Sequence, residues 1–428
     1  MMGTVIKKKI AGEKETILFI MLCWLTYSCS YIGRLNLSAS MSEMVADGIF
    51  LKSQAGAVTT GYFLCYGGGQ FLSGWLGDKF RPRFLIFIGL LLSAVCNYCI
   101  SLEPPLWLLA TLWSLNGLSL SLLWAPLIRL VSDRVAAERR RKACTALATT
   151  MAAGTLMSYL LCAALIEEFG WHASFYVPAV IAAVIAFLWI ILTTRIEKDA
   201  DKTGIDELPS CREAADPEED VPHDEVPSKL FPLLAVSGLL TMTVVAGVLS
   251  ILKDCVSTWT PTFLIDAYQL DSVTSILFGT LMPVFGLLGP YMANWIMHKV
   301  NDEFSSMFWL FIISSGALAL LVLAGRYSLG IAVFCLALTY ACSLGQNMLL
   351  IGTVPMYFLN VGRVAGVTGV LNASAYFSAA MMSLLTGILV EHLGWTFTIT
   401  VWMVLSIVAS LFCIISRRKW KKFRRNLF

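Results

Sequence analysis

The sequence predicts an all-α polytopic membrane protein: twelve membrane-crossing helices in two six-helix halves. Three observations carry this. Of 428 residues, 57% are hydrophobic and only 14% are charged, where a soluble domain carries about 25%. The mean hydropathy is +0.74. Apolar runs of about 20 residues recur along the chain, the length a helix needs to cross a bilayer.

The expected spans lie near 16–41, 54–76, 84–101, 106–130, 143–165, 174–194, 231–256, 272–296, 306–325, 329–352, 366–389 and 396–416. The first is too long for a cleavable signal peptide and lacks a small-residue cleavage site. Net charge is +3, but orientation depends on where Lys and Arg sit. Lys7–Lys9, Lys79, Arg81, Arg83, Arg134, Arg139–Lys142 and the tail from Arg417 to Arg425 all fall on one side if the spans alternate. That side is expected to be cytoplasmic, which puts both termini inside and the protein in the plasma membrane.

Residues 195–230 are acidic and interrupted by Pro209, Pro217, Pro222 and Pro227. They read as a solvated linker between an N-terminal half, 1–194, and a C-terminal half, 231–416, with a basic tail at 417–428. An internal repeat supports this division. Glu167-Glu168-Phe169-Gly170-Trp171 precedes the sixth span and Glu391-His392-Leu393-Gly394-Trp395 the twelfth. Parallel halves of this kind place a solute site between them near the midplane.

Twelve cysteines lie mostly within apolar segments and are expected to act as small buried hydrophobes. Cys96 and Cys99 form a CxxC without a second pair or a βαβ context, so packing is expected rather than redox or metal chemistry. Gly67-Gly68-Gly69 has no strand before it and no Lys-Ser/Thr after it, so close helix packing explains it and a phosphate loop does not.

The first span contains Tyr27, Tyr31 and Arg34 at i, i+4 and i+7, on one helix face. An arginine inside a span costs roughly 2.5–3.5 kcal/mol to insert. It is tolerated facing protein or water, where it would bind an anion, or by snorkelling to headgroups.

Gly74-Trp75-Leu76-Gly77-Asp78-Lys79-Phe80-Arg81-Pro82-Arg83 resembles the GxxxD(R/K)xGR(R/K) signature of the major facilitator superfamily, with Arg81 where the family has glycine. Gly74 would permit close helix approach. Asp78 would pair with Arg81, Arg83 or a helix end across the half-to-half interface, and Lys79 adds to this gate. The resemblance narrows to the organophosphate:phosphate antiporters, the glycerol-3-phosphate and hexose-6-phosphate carriers. Tyr31-Ile32-Gly33-Arg34-Leu35-Asn36 resembles their Y-x-x-R-x-N. Trp259-Thr260-Pro261-Thr262 resembles their W-(S/T)-P-T after the seventh span. The family's second substrate arginine, six residues before that tryptophan, is Lys253 here. Its tyrosines map onto Tyr27, Tyr31, Tyr66 and Tyr376, and its fourth-span tryptophan-proline onto Trp124-Ala125-Pro126.

Two departures remove positive charge. The family's fifth-span histidine aligns with Thr150, and its second-span lysine is Gln70. Lys253 also replaces a bidentate fork with a point charge. A sugar acid or other carboxylate monoanion therefore competes with a dianionic phosphate as the expected cargo.

The resemblance implies a carrier in which Arg34 and Lys253 repel across an empty cavity until an anion cancels them and lets the halves rock. Asp254, next to Lys253, is expected either at a helix end or as a proton-coupling site. Asn116, Gln346, Asn347 and Asn372 are expected to bond either cargo hydroxyls or neighbouring helices. With no nucleotide-binding signature, metal cluster or catalytic constellation, no enzyme activity, cofactor, metal or nucleic-acid partner is expected. The expected partners are a small anionic solute, inorganic phosphate or a coupling ion, and the lipid bilayer, around a monomer. Alternative functions are a proton- or sodium-coupled organic-acid symporter and a ligand-sensing receptor of the same fold.

Overall fold

A computed structural model describes residues 8–136, 139, 143, 146–147, 149–203, 235, 237–358 and 364–427. Water is absent from a bilayer interior, so backbone polar groups must be satisfied within each segment; helices do this, and the described elements are helical. The first half comprises α1 (Glu13–Ser30), α2 (Ile32–Ala46), α3 (Lys52–Lys79), α4 (Pro82–Ile100), α5 (Leu106–Ser121), α6 (Trp124–Arg134), α7 (Thr150–Phe169) and α8 (Ala173–Thr203). The second comprises α9 (Leu239–Tyr268), α10 (Ser272–Gly279), α11 (Leu281–Gly286), α12 (Leu288–Val300), α13 (Glu303–Ala324), α14 (Leu329–Asn347) and α15 (Val364–Leu427). A π-helical turn, Met348–Thr353, and a 3-10 turn, Val354–Phe358, follow α14.

Among the described residues, ten helical segments are long and apolar enough to span a membrane. The last, Val367–Arg425, is two rods, because Gly394 at φ 78°, ψ 176° turns the chain. Helix α3, 28 residues long, stands outside the ten, its hydropathy diluted by glycines and polar residues. The first span is α1 and α2 end to end, since Tyr31 between them keeps helical angles (φ −68°, ψ −27°).

The seventh span departs from expectation. It was expected at 231–256 with Trp259–Thr262 beyond it; instead α9 runs from Leu239 to Tyr268 with Pro261 inside. A proline removes one N–H and so frees the carbonyl four residues earlier. That carbonyl, on Ser257, accepts a hydrogen bond from the Tyr159 hydroxyl at 3.0 Å, which makes the interruption tolerable. The acidic stretch expected to be linker from 195 is helical to Thr203; the remainder, 204–230, lies outside the described residues. Residues 417–427 continue α15, anchored by Trp420, which is fully buried.

The repeat has a structural counterpart. Gly170 (φ 74°, ψ 178°) and Gly394 adopt the same left-handed conformation, open to glycine without a Cβ penalty. The tryptophan after each donates to a carboxylate in the equivalent place. Trp171 Nε1 reaches Asp47 Oδ2 at 2.8 Å, and Trp395 Nε1 reaches Asp266 Oδ2 at 2.7 Å.

At the end of the bundle bearing the basic loops, each half is pinned by ion pairs of opposite arrangement. Arg83, opening α4, meets Glu197 of α8 at 2.6 Å, and Arg134 meets Asp201 at 2.5 Å. In the second half, Asp302 and Glu303 open α13 and meet Arg417 (3.1 Å) and Arg424 (3.2 Å) of α15. Arg83 is therefore engaged within its own half rather than across the interface. Its partner is the extension of α8, which brings Glu197 over the α4 N-terminus. Arg81 is exposed. The side chains of Gly74, Asp78 and Lys79 lie outside the described residues.

Candidate anion site between the two halves

A cavity of about 370 Å³ lies between the halves. It is lined by Arg34, Lys253, Tyr27, Tyr31, Tyr66, Gln70, Trp124, Thr150, Asn372 and Tyr376, so these ten sequence candidates meet there, whereas Asn116 and Gln346 do not line it. Leu35, Ser250, Asp254, Ser257, Tyr340 and Asn347 also contribute.

Arg34 is held in place from behind. Asn36, two residues on, donates to Asn97 Oδ1 (2.7 Å) and the Ser174 carbonyl (3.0 Å). Asn116 donates to the Gly33 carbonyl (2.8 Å), and Ser93 donates to Asn116 (2.6 Å). This buried network ties α2 to α4, α5 and α8 and turns Arg34 the opposite way, toward the cavity. Asn116 is thus an interhelical tie.

The guanidinium rests among aromatic rings. Its carbon is 4.5 Å from the Tyr66 ring centroid, 5.3 Å from Tyr31 and 5.9 Å from Tyr62. Cation–π contact stabilises a desolvated charge without consuming it. Among the described residues no carboxylate lies within ion-pair distance of Arg34. Tyr66 in turn meets Tyr376 of the other half edge-on, 5.2 Å between centroids. Two glycines make this crowding possible. A Cβ on Gly67 would stand 2.8 Å from Tyr376 Cβ, and one on Gly154 2.8 Å from Tyr31 Cβ. In the Gly67–Gly69 run, Gly67 and Gly69 accordingly serve packing, against Tyr376 and Ser121, while Gly68 faces open space.

Lys253 sits mid-helix in α9, and Asp254 lines the same cavity. Their side chains are 3.6 Å apart. The Asp254 carboxylate also accepts from Ser250 Oγ at 2.7 Å. Two sequence expectations are corrected here. Asp254 is not at a helix end, because α9 continues fourteen residues beyond it to Tyr268. Lys253 is not an uncompensated cation facing Arg34, because its counter-ion is the next residue: side chains about 100° apart on a helix both reach a cavity this wide.

Hydrogen bonds between the halves gather on the far side of this cavity from the basic loops. Ser38 Oγ donates to the Thr258 carbonyl (2.5 Å) and Ser42 Oγ to Thr262 (3.2 Å). Thr59 bonds Ser383 (2.5 Å), and Thr60 bonds the Ala380 carbonyl (2.8 Å). At the rim Lys52 pairs with Asp266 (2.5 Å), the Ser53 N–H meets Glu391 (2.9 Å) and Ser272 meets Glu43. That end is sealed, and two of the bonds across it, from Ser38 and Tyr159, use α9 carbonyls one turn before Pro261.

The family model described as the Major Facilitator Superfamily matches residues 23–367. The chain belongs to the Major Facilitator Superfamily. A "probable hexose phosphate transport protein" of Chlamydia trachomatis is 24% identical over 69% of this chain and 67% of its own length. The "membrane sensor protein UhpC" of Salmonella typhimurium is 23% identical over 87% of this chain and 85% of its own. The fold is that of a bacterial homologue of the human lysosomal transporter Spinster, crystallised inward-facing and occupied. The TM-score is 0.73 and the identity 13%, over 96% of this chain and 99% of that one. As a multi-pass member of this superfamily, the chain places its cavity where the two halves meet.

Sequence reasoning missed Tyr62 and Tyr340 as partners of the site. Tyr62 was legible, standing one turn before Tyr66 on α3. Tyr340 carried no local signal, its place depending on how α14 packs.

Proposed function

We propose that the chain is an alternating-access carrier of a small organic anion, with an organophosphate such as a hexose phosphate as cargo and inorganic phosphate as exchange partner. The observation that carries this reading is Arg34: a half-buried guanidinium cradled by tyrosine rings, facing a cavity shared by both halves, with no carboxylate paired to it among the described residues. An anion supplies what that charge lacks, through charge-assisted hydrogen bonds. The similarity to a probable hexose phosphate transport protein supports the same cargo class.

Excess Lys and Arg on one face orient that face to the cytoplasm, so both termini are cytoplasmic and the sealed end faces outward across the plasma membrane. The conformation is then inward-facing. Gly74, Asp78, Lys79 and Arg81 would meet the second half when the inner side closes, and the acidic stretch beyond Thr203 would serve as a tether. The protein works as a monomer in this reading.

One observation favours a second reading, proton-coupled symport: a carboxylate, Asp254, lies inside the cavity. Counterflow in proteoliposomes separates the possibilities. Exchange predicts that internal phosphate drives uptake of labelled hexose 6-phosphate without an ion gradient. Symport predicts uptake into vesicles free of internal substrate when an inward proton gradient is imposed, with no drive from internal phosphate, and a sensor predicts binding without flux.

A further inference from the structure

Among the described residues, the charged lining of the cavity is a set of three: Arg34, Lys253 and Asp254. Asp254 is placed to act on the other two. It stands 3.6 Å from the Lys253 amine and is steadied by Ser250. It also lines, together with Arg34, a smaller cavity of about 50 Å³ toward the sealed end. The separation from Lys253 is that of an ion pair without a hydrogen bond, so the amine keeps its N–H donors for another acceptor. The formal sum of these three charges is a single positive charge, not the two that a facing pair of cations would give.

We propose that Asp254 is a specificity-determining residue. It cancels the charge of Lys253 while leaving its donors available, so that the site selects a monoanionic head group over a dianionic one. The inference rests on the reading of this cavity as the anion site. The physical argument is electrostatic balance. In a site walled by protein, charge in excess of its partners is strongly disfavoured. A carboxylate, or a phosphoryl group carrying one proton, balances Arg34; a fully ionised phosphoryl group leaves a negative charge facing Asp254. The other groups around Asp254 are uncharged hydroxyl and thiol bearers: Tyr31 on α2, Tyr62 on α3, Tyr340 on α14, Tyr376 on α15 and its neighbour Cys255.

The test uses the full chain, purified, at pH 7.5. There hexose 6-phosphate is mostly dianionic, its second ionisation lying near 6, while a hexuronate is a monoanion. Titration calorimetry with both probes gives the ratio of their dissociation constants. The expected result is that Asp254→Asn shifts this ratio at least tenfold toward hexose 6-phosphate, with hexuronate affinity changed less than threefold. A residue that only positioned Lys253 would weaken both probes together, and an unchanged ratio overturns the proposal. A second measurement needs no variant. The wild-type protein should bind the methyl ester of hexose 6-phosphate, permanently monoanionic, at least as tightly as the unesterified sugar phosphate; a tenfold preference for the dianion overturns the proposal equally. If Arg34→Gln abolishes binding while Asp254→Asn leaves the ratio alone, only this inference falls. If Arg34→Gln binds both probes as wild type does, the reading of the cavity falls and takes the inference with it.

Discussion

Tyr159 of the first half donates its hydroxyl to the carbonyl of Ser257 in the second, 3.0 Å away, and that carbonyl is free because Pro261, one turn on, has no N–H to offer it. One turn of helix thus contains both a break in its own ladder and the acceptor that fastens it to the opposite half. Ser38, also of the first half, donates to the Thr258 carbonyl next door and adds a second bond at the same turn. A tryptophan-threonine-proline-threonine run therefore makes the sealed end adhesive.

Replacing Tyr159 with Phe removes that bond and little else. A buried hydrogen bond contributes about 0.5–1.5 kcal/mol, so the sealed end should open roughly 2- to 12-fold more often. Double electron–electron resonance between labels on Leu51 and Ala267, exposed at that end, is expected to gain a longer-distance population. An unchanged distribution would mean the bond does not hold the halves together.

Gly154 bears directly on the site. A Cβ there would meet the Ser28 carbonyl at 2.5 Å and Tyr31 Cβ at 2.8 Å, and both belong to packed helix. Gly154→Ala should cost about 1–3 kcal/mol by overpacking and displace Tyr31 from the Arg34 guanidinium. Melting and anion affinity should fall together; a variant with normal melting and normal affinity contradicts this placement.

Glu303 offers the opposite contrast. It is fully buried and takes hydrogen bonds from Tyr357 (2.5 Å), Trp420 (3.0 Å) and Arg424 (3.2 Å). Breaking a buried ion pair by removing one partner costs roughly 3–5 kcal/mol, so Glu303→Ala should unfold at much lower denaturant. Because Glu303 does not line the cavity, the folded fraction should bind anion as wild type does.

How much of this was legible in the sequence depends on the range of the signal. Tyr27, Tyr31 and Arg34 share a helix face by spacing alone, and their meeting with Tyr66 and Tyr376 followed from motif resemblance. The pairing of the halves was visible in the Gly-Trp repeat, because a left-handed glycine followed by a capping tryptophan is a local event. Asp254 was misplaced because the limits of α9 were read from hydropathy, which drops at Trp259-Thr260-Pro261-Thr262. Those residues stay helical because Tyr159, about a hundred positions away, satisfies the one carbonyl that the proline frees, that of Ser257. Arg83 was likewise assigned to the half-to-half interface because Glu197 sat in a stretch that composition marked as linker; helical extension to Thr203 returned it to the first half.

The central claim is that Arg34 anchors the cargo. Titration calorimetry of the purified protein with hexose 6-phosphate, hexuronate and inorganic phosphate, wild type beside Arg34→Gln, tests it most directly. The account predicts that at least one of these anions binds the wild type and that the replacement weakens it by at least about 30-fold, near 2 kcal/mol, with unliganded melting unchanged. Equal binding by the two proteins would contradict it.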